Sequence, residues 1–134
     1  MINLRGFNPD DSWYRKELRI SHALGIRHYD FPLSANRFVD EATMATLEAL
    51  LRAAPKPILI HCQSGADRSG LAAALYEYAI AVRPLEDARE QLSIRYGHLP
   101  YLWSHTGAMD DSFEAYVGLH PRKTKSDSRL FAPG

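Results

Sequence analysis

Hydrophobic residues follow two patterns along the chain: short apolar runs, and longer stretches in which they recur every three or four residues. The short runs predict β-strands, and the periodic stretches predict amphipathic helices. The predicted strands are residues 2–5, 26–31 and 57–61. The predicted helices are residues 13–24, 40–54, 69–82, 85 to about 96, and 109–119. This alternation predicts a three-layer α/β/α fold with a mainly parallel central sheet.

Residues that interrupt regular structure lie between these segments. Gly25 stands where glycine commonly ends a helix, Pro55 and Pro57 stop the second helix, and Pro84 ends the third. No internal repeat or linker divides the chain. We therefore expect one domain over residues 1–119 and a loose tail over residues 120–134.

The last predicted strand is apolar throughout. Ile58, Leu59 and Ile60 form a continuous run after a proline. Such a run is typical of a strand that is buried on both faces at the centre of a parallel sheet. The segment 61–70 would then join the central strand to a helix rich in alanine.

Composition limits the classes of partner. Among 134 residues, Lys plus Arg and Asp plus Glu each number 16, so the net charge is zero and gives no support for nucleic acid or a membrane surface as a partner. The six histidines show no metal-ligand spacing, so we expect no metal and no other cofactor. One cysteine, and no apolar run of signal-peptide length, favour a cytoplasmic location. The oligomeric state stays open.

The segment 61–70 reads His-Cys-Gln-Ser-Gly-Ala-Asp-Arg-Ser-Gly. In open α/β sheets, ligands bind at the carboxyl ends of strands, and a tight loop that enters a helix directs backbone N–H groups at an anion. A nearby arginine adds a planar pair of donors for two phosphate oxygens. We therefore predict a site for a phosphate dianion. Its predicted binding residues are Gln63, Ser64, Gly65, Ala66, Asp67 and Arg68.

The same loop would activate Cys62. A helix N-terminus and a nearby cation lower the pKa of a thiol from about 8.5 to roughly 3.5–7.5. The thiolate can attack phosphorus in line with the leaving oxygen, and water can then hydrolyse the thiophosphate ester. Arg68 and the loop N–H groups would stabilise the transferred group, and Ser69 could donate a hydrogen bond to the departing sulfur. His61 is expected to orient the loop through a hydrogen bond rather than to transfer a proton.

The pattern His-Cys-x5-Arg-Ser-Gly resembles the signature of the protein tyrosine and dual-specificity phosphatase superfamily. Its second half, Gly-Ala-Asp-Arg-Ser-Gly, is most similar to bacterial members that carry an acidic residue before the arginine. Segments 2–6, 24–28 and 31–35 resemble the family's order of strand, helix, strand and loop. The resemblance covers roughly residues 2–119. It implies a phosphotyrosine phosphatase-like fold, Cys62 as nucleophile, phosphate binding by residues 63–68, no metal, and a phosphoprotein or a small phosphate ester as substrate.

The general acid departs from the family pattern. The family usually supplies an aspartate from a separate loop to protonate the leaving oxygen. Three candidates remain open here: Asp67 inside the loop, Asp30 at the end of the second predicted strand, and Asp40, which could equally cap a helix. Asp67 is preferred, because related bacterial enzymes with an acid at that position suggest a substitute acid.

The start of the chain also departs from that pattern. The resemblance suggests one or two strands before residues 2–5. Either the chain is trimmed, or something else covers that edge of the sheet, such as a partner subunit.

Three other functions stay open. A phosphatase for a phosphoinositide or another small phosphate ester gains less support, because the loop has no lysine and carries Asp67. A rhodanese-type sulfurtransferase also places a cysteine loop after a strand, but the five-residue spacing from Cys62 to Arg68 favours phosphate. A phosphate-binding module without turnover is the third alternative, and an intact Cys62 and Arg68 argue against it.

Overall fold

The computed structural model describes residues 1–63, 65–92 and 107–122. Its elements follow the order β1 (Ile2–Asn3), α1 (Ser12–Ala23), β2 (Tyr29–Asp30), α2 (Glu41–Ala53), β3 (Ile60–His61), α3 (Asp67–Ala79), α4 (Leu85–Glu90) and α5 (Gly107–Leu119). The strands form one parallel sheet in the order β2-β1-β3. This arrangement confirms the predicted α/β fold with a parallel sheet.

The register of the sheet places three polar residues side by side. Asn3 on β1 lies opposite Asp30 on β2 and opposite His61 on β3. Residues in register in a parallel sheet share a face, and successive residues alternate between faces. Asn3, Asp30 and His61, which we call the polar row, therefore share one face of the sheet. Ile2 and Ile60 point to the other.

The apolar core lies on the face opposite the polar row. There Ile2 and Leu4 pack with residues of α2, α3 and α5. The fully buried side chains that these helices contribute are Met44, Leu47, Leu51, Leu71, Leu75, Met109 and Phe113. Burying such a side chain stabilises a fold by roughly 1.5–3 kcal/mol. This face therefore supplies most of the hydrophobic stabilisation and holds α3, which carries residues 67–70 of the predicted phosphate loop.

The prediction that residues 57–61 form a central strand buried on both faces is wrong. β3 is an edge strand of the described sheet, and the Leu59 side chain is 58% exposed. β1 takes the central position, with Ile2 fully buried. The apolar run is explained by Ile58 and Ile60, which pack against the core from one side. Strand order depends on pairing between distant segments, which a five-residue pattern does not encode.

Helix boundaries agree more closely with the sequence than strand boundaries do. α1, α2 and α5 begin and end within two residues of the predicted positions. α3 begins two residues earlier and ends three residues earlier than predicted, and the strands are shorter than predicted. α4 ends at Glu90, and residues 93–96 of the helix predicted there lie outside the described residues. None of the helices described is long and apolar enough to cross a membrane.

The predicted tail begins with residues that are held against the domain. The ring of His120 stacks on Tyr116, with 4.3 Å between the ring centroids. The guanidinium of Arg122 lies 4.2 Å from the centre of the Tyr78 ring. These contacts hold residues 120–122 against the domain. Residues 123–134 lie outside the described residues, so the loose tail stays a prediction.

Candidate active site

Cys62 lies directly after β3, at the carboxyl end of the strand and before the N-terminus of α3. Its sulfur accepts hydrogen bonds from two groups: the backbone N–H of Gly65, at 3.2 Å, and the hydroxyl of Ser69, at 3.1 Å. The Cys62 side chain is only 8% exposed. The loop therefore curls around the sulfur, and the first turn of α3 closes it.

This environment lowers the pKa of the Cys62 thiol. Burial alone would raise the pKa, but hydrogen bonds from Ser69 and Gly65 and the positive charge of Arg68 outweigh burial. A lower pKa means that more of the sulfur is thiolate near neutral pH, and the thiolate is the nucleophilic form. The surroundings therefore favour an ionised, reactive sulfur.

Gly65 makes the curl possible. Its φ of +73° lies in the left-handed region, which glycine adopts without the steric cost that a Cβ imposes. The next residue, Ala66, is the N-cap of α3 and has no side-chain oxygen with which to cap the helix. The first-turn N–H groups of α3 therefore gain no hydrogen bond from the N-cap side chain, as in helix N-termini that bind anions.

Arg68 ties α3 to a second loop. Its Nη1 donates a hydrogen bond to the carbonyl oxygen of Leu33, at 3.2 Å. Leu33 belongs to segment 31–35, which follows β2 and whose sequence resembles a loop of the phosphatase superfamily. The guanidinium is half-buried, and its charge favours the thiolate form of Cys62 by lowering the thiol pKa. The structure thus places the positive charge of Arg68 close enough to Cys62 to stabilise its thiolate.

The other residues predicted in the loop differ in exposure. Gln63 and Gly65 are exposed, whereas Ala66 and Asp67 are half-buried. Asp67 is the first residue of α3, directly before Arg68. Ser64 lies outside the described residues.

The two other candidate acids are engaged elsewhere. Both oxygens of Asp30 accept hydrogen bonds, Oδ1 from the side-chain amide of Asn3 at 2.9 Å and Oδ2 from the hydroxyl of Tyr14. Asp40 is the N-cap of α2, and its Oδ1 accepts a hydrogen bond from the Thr43 N–H at 2.8 Å. Hydrogen bonds with Thr43 hold the pKa of Asp40 below its usual value. A carboxyl with a lowered pKa is a poor proton donor near neutral pH.

Sequence reasoning missed a residue that contacts His61, the neighbour of Cys62. Oε1 of Glu17, on α1, lies 2.9 Å from Nε2 of His61 and 2.7 Å from Nε2 of His28. On the other side of its ring, Nδ1 of His61 lies 3.4 Å from the carbonyl oxygen of Cys62. A chain of polar contacts therefore runs from α1 to the backbone of Cys62.

The sequence of α1 does contain a pattern related to this contact, but the pattern indicates the opposite orientation of the helix. Tyr14, Glu17 and Ser21 recur at helical spacing and face the sheet, whereas Leu18 and Ile20 on the same helix are exposed. A polar stripe normally marks the solvent face of a helix. α1 is oriented oppositely because the polar row of the sheet lies beneath it.

Two observations bear on what else the site could hold. Within the described ranges, no three His, Cys, Asp or Glu side chains are arranged to hold a metal ion. A cavity of about 350 Å³ lies beside the loop, and its lining includes Ile60 of β3, Gly65 of the loop and Ser69 of α3. The described site thus consists of a thiol, a guanidinium, backbone donors and an adjacent recess.

Comparison with known proteins agrees with this arrangement. Residues 19–90 match the family model described as tyrosine phosphatase family. The match spans more than half of the 134 residues and includes the whole segment from Cys62 to Arg68. The parallel α/β fold and this match define a phosphatase. The chain belongs to the tyrosine phosphatase family.

No curated protein and no solved structure matches the chain significantly.

Proposed function

We propose that this protein is a cysteine-dependent phosphatase that hydrolyses phosphotyrosine or phosphoserine/threonine in proteins through a phosphocysteine on Cys62. The observation that carries the proposal is the pair of donors on the sulfur, Gly65 N–H at 3.2 Å and Ser69 hydroxyl at 3.1 Å. Two donors and a nearby guanidinium stabilise a thiolate at the N-terminus of a helix, where an anionic substrate would also be held.

The first chemical step transfers the phosphoryl group to sulfur. The Cys62 thiolate attacks phosphorus, a bond between sulfur and phosphorus forms, and the bond from phosphorus to the ester oxygen breaks. Arg68 and the loop N–H groups bind the equatorial oxygens, whose charge the transition state must accommodate. Asp67, protonated at the start of this step, gives its proton to the leaving oxygen.

The second step regenerates the enzyme. Water attacks phosphorus, its proton passes to the Asp67 carboxylate, and the bond between phosphorus and sulfur breaks to release phosphate. The sulfur leaves as a thiolate, and the Ser69 hydroxyl donates a hydrogen bond to it at that moment. The residue that stabilises the resting thiolate therefore also assists its departure.

The composition of the loop supports a protein substrate over a highly phosphorylated small molecule. Residues 62–70 contain no lysine, and Arg68 is their only cation. A headgroup with several phosphates would need more positive charge than this loop provides.

The test is hydrolysis of 4-nitrophenyl phosphate in the presence of EDTA. We expect turnover without added metal, near-complete loss in Cys62→Ser, and a strong loss in Arg68→Lys, because lysine cannot bind two oxygens side by side. Arg89→Lys is the matched control, since Arg89 pairs with Glu114 on the surface. Activity that survives Cys62→Ser would overturn the proposal.

Substrate panels separate the alternatives. Phosphopeptides should be turned over faster than inositol phosphates, and mass spectrometry of acid-quenched enzyme should find phosphate on Cys62. Faster turnover of inositol phosphates would assign the small-molecule reaction instead. Sulfur transfer from thiosulfate would assign a sulfurtransferase, and phosphopeptide binding without turnover would assign a binding module.

A further inference from the structure

One carboxylate oxygen is shared by two histidine rings. Oε1 of Glu17 lies within hydrogen-bond distance of Nε2 of His61 and Nε2 of His28, and the Glu17 side chain is only 17% exposed. The three residues come from different parts of the fold: α1, β3 and the segment before β2. The mechanism proposed above assigns no role to Glu17 or His28.

The chemistry of these groups fixes where the protons lie. An ionised carboxylate only accepts hydrogen bonds, so each Nε2 that contacts Glu17 must carry a hydrogen. In a neutral ring, the lone pair then resides on Nδ1, which becomes the atom that takes a further proton. For His61, that atom faces the carbonyl oxygen of Cys62 at 3.4 Å. A proton there places a positive charge beside the nucleophile's own peptide group.

Further bonds hold the network in place. Nδ1 of His28 lies 3.7 Å from Oδ1 of Asp30, and the same Asp30 oxygen accepts the amide hydrogen bond from Asn3. The other Asp30 oxygen accepts from Tyr14, whose pKa is raised to about 12 by burial and by this hydrogen bond. Tyr14 therefore stays a donor at every physiological pH. Asp30 thus anchors the end of the network distant from Cys62.

We propose that Glu17 is a positioning residue for the nucleophile: it fixes His61 as the Nε2–H tautomer and directs the protonatable Nδ1 at the carbonyl group of Cys62. This proposal rests on the proposed function, in which the Cys62 thiolate attacks phosphorus. Glu17 touches no reacting atom and acts only through His61. Its effect is to let the imidazole carry positive charge at the base of the phosphate loop.

Charged groups from several elements of the described residues face this network. Glu17 faces His61 and His28, and its charge also opposes the burial that lowers the pKa of the Met1 amine. His28 also faces Asp30. From α3, Arg68 acts on the Cys62 thiol itself.

The direction in which the Cys62 thiol pKa changes when Glu17 is removed distinguishes two possible roles of this carboxylate. A carboxylate that acted on Cys62 only through space would disfavour the thiolate, so its removal would lower the thiol pKa. A carboxylate that acts by holding a protonatable His61 favours the thiolate, so its removal would raise the thiol pKa. The two roles therefore shift the pKa in opposite directions.

The experiment measures alkylation of Cys62 by iodoacetamide as a function of pH. Cys62 is the only cysteine in the chain, so the rate reports this thiol alone and needs no substrate. The variants are Glu17→Gln, which keeps volume and an acceptor but loses the charge, and Glu17→Ala. The matched control is Glu41→Gln, because Glu41 makes a surface contact of 2.9 Å with His120.

We expect Glu17→Gln to raise the midpoint of the alkylation profile by about one pH unit. Well below the midpoint, this rise lowers the thiolate fraction about tenfold. With 4-nitrophenyl phosphate below the midpoint, kcat should fall on the order of tenfold while KM changes little. Glu17→Ala should show at least the same shift, and Glu41→Gln none. An unchanged or lowered midpoint in Glu17→Gln would overturn the proposal.

A measurement on the unmodified protein covers the case in which the variants do not fold. Nitrogen-15 spectra of the imidazole rings should show the Nε2–H tautomer for neutral His61, and an Nδ1–H tautomer would overturn the proposal. If the wild-type protein hydrolyses no phosphate ester, the proposed function fails by itself. The alkylation profile would still decide whether Glu17 acts through His61.

Discussion

The hydroxyl of Ser69 and the sulfur of Cys62 lie 3.1 Å apart, one on the first turn of α3 and the other directly after β3. This contact joins the two ends of the loop, which lie seven residues apart in sequence. It is also a main cause of the lowered pKa of the Cys62 thiol, together with the Gly65 N–H and the charge of Arg68, against the opposing effect of burial. Ser69 thus connects the folding of the loop with the reactivity of the sulfur.

Replacing Ser69 with alanine should raise the pKa of Cys62 and slow hydrolysis of the phosphocysteine more than its formation. A hydrogen bond to a charged group contributes about 1.5–3 kcal/mol. Hydrolysis of the phosphocysteine should therefore slow by about tenfold or more. Rapid mixing should then show a burst of nitrophenol from the variant. Ser69→Thr keeps the hydroxyl and serves as the control. A variant with unchanged steady-state rate and no burst would contradict the assignment.

Loss of activity in Ser69→Ala should depend on pH. Because the wild-type thiol pKa is lowered, the wild type holds thiolate at pH values where the variant holds thiol. The variant should lose most activity on the acid side of neutrality and approach the wild type as the pH rises through its own, higher pKa. The pH profile of kcat/KM checks this, and a uniform loss at all pH values would contradict it.

Asp67→Asn should identify the general acid. We expect kcat/KM, which reports transfer of the phosphoryl group to sulfur, to fall by about a hundredfold with phenyl phosphate, whose leaving oxygen needs a proton, and much less with 4-nitrophenyl phosphate. Asp87→Asn is a control, since Asp87 is an exposed partner of Arg83. Equal losses with both esters would show that Asp67 has another role.

Asp40→Ala should reduce stability and leave catalysis intact. Asp40 caps α2 through its hydrogen bond to the Thr43 N–H. Thermal unfolding should occur a few degrees lower, with kcat/KM unchanged. Since the folded-state pKa of Asp40 is lowered, its stabilising contribution is complete above the ordinary carboxyl pKa of about 4. That contribution is lost as the pH falls through the lower folded-state value, so wild type and variant should converge in strong acid.

Gly65→Ala and Gly25→Ala form a matched pair. Both glycines have positive φ, +73° and +66°, and a Cβ at either position would meet no atom within 4 Å. Each substitution should cost roughly 1–2 kcal/mol of backbone strain, measurable by urea unfolding. Only Gly65→Ala should also slow alkylation of Cys62, because the Gly65 N–H bonds to the sulfur. Loss of thiol reactivity in Gly25→Ala would contradict this separation.

The loop of the candidate site could be predicted because its residues, 61–70, are consecutive in sequence. The backbone that positions Cys62 and Arg68 is a strand, a glycine turn and a helix, and each leaves a local signature. The sequence predicted that Ser69 could donate a hydrogen bond to the sulfur, and in the structure its hydroxyl makes this contact at 3.1 Å. The helices were predictable for the same reason, since their periodicity is local.

The contact between Glu17 and His61 could not be predicted, because 44 residues separate them in sequence. Their approach depends on which face of the sheet α1 covers and on the order of the strands. The edge position of β3 escaped prediction for the same reason. The role of Asp40 was ambiguous in sequence, and only its hydrogen bond to Thr43 distinguishes a helix cap from a catalytic acid.

β1 is the first strand of the described order and also the middle strand of the sheet. Its two neighbours arrive later in the chain, and the pairing with β3 closes the longer loop of the two, at the greater entropic cost. The residue that follows β3 is Cys62, so its sulfur reaches its position only when this long-range pairing is made. A partly folded chain would therefore carry an ordinary thiol, and recovery of thiol reactivity during refolding would report closure of the sheet.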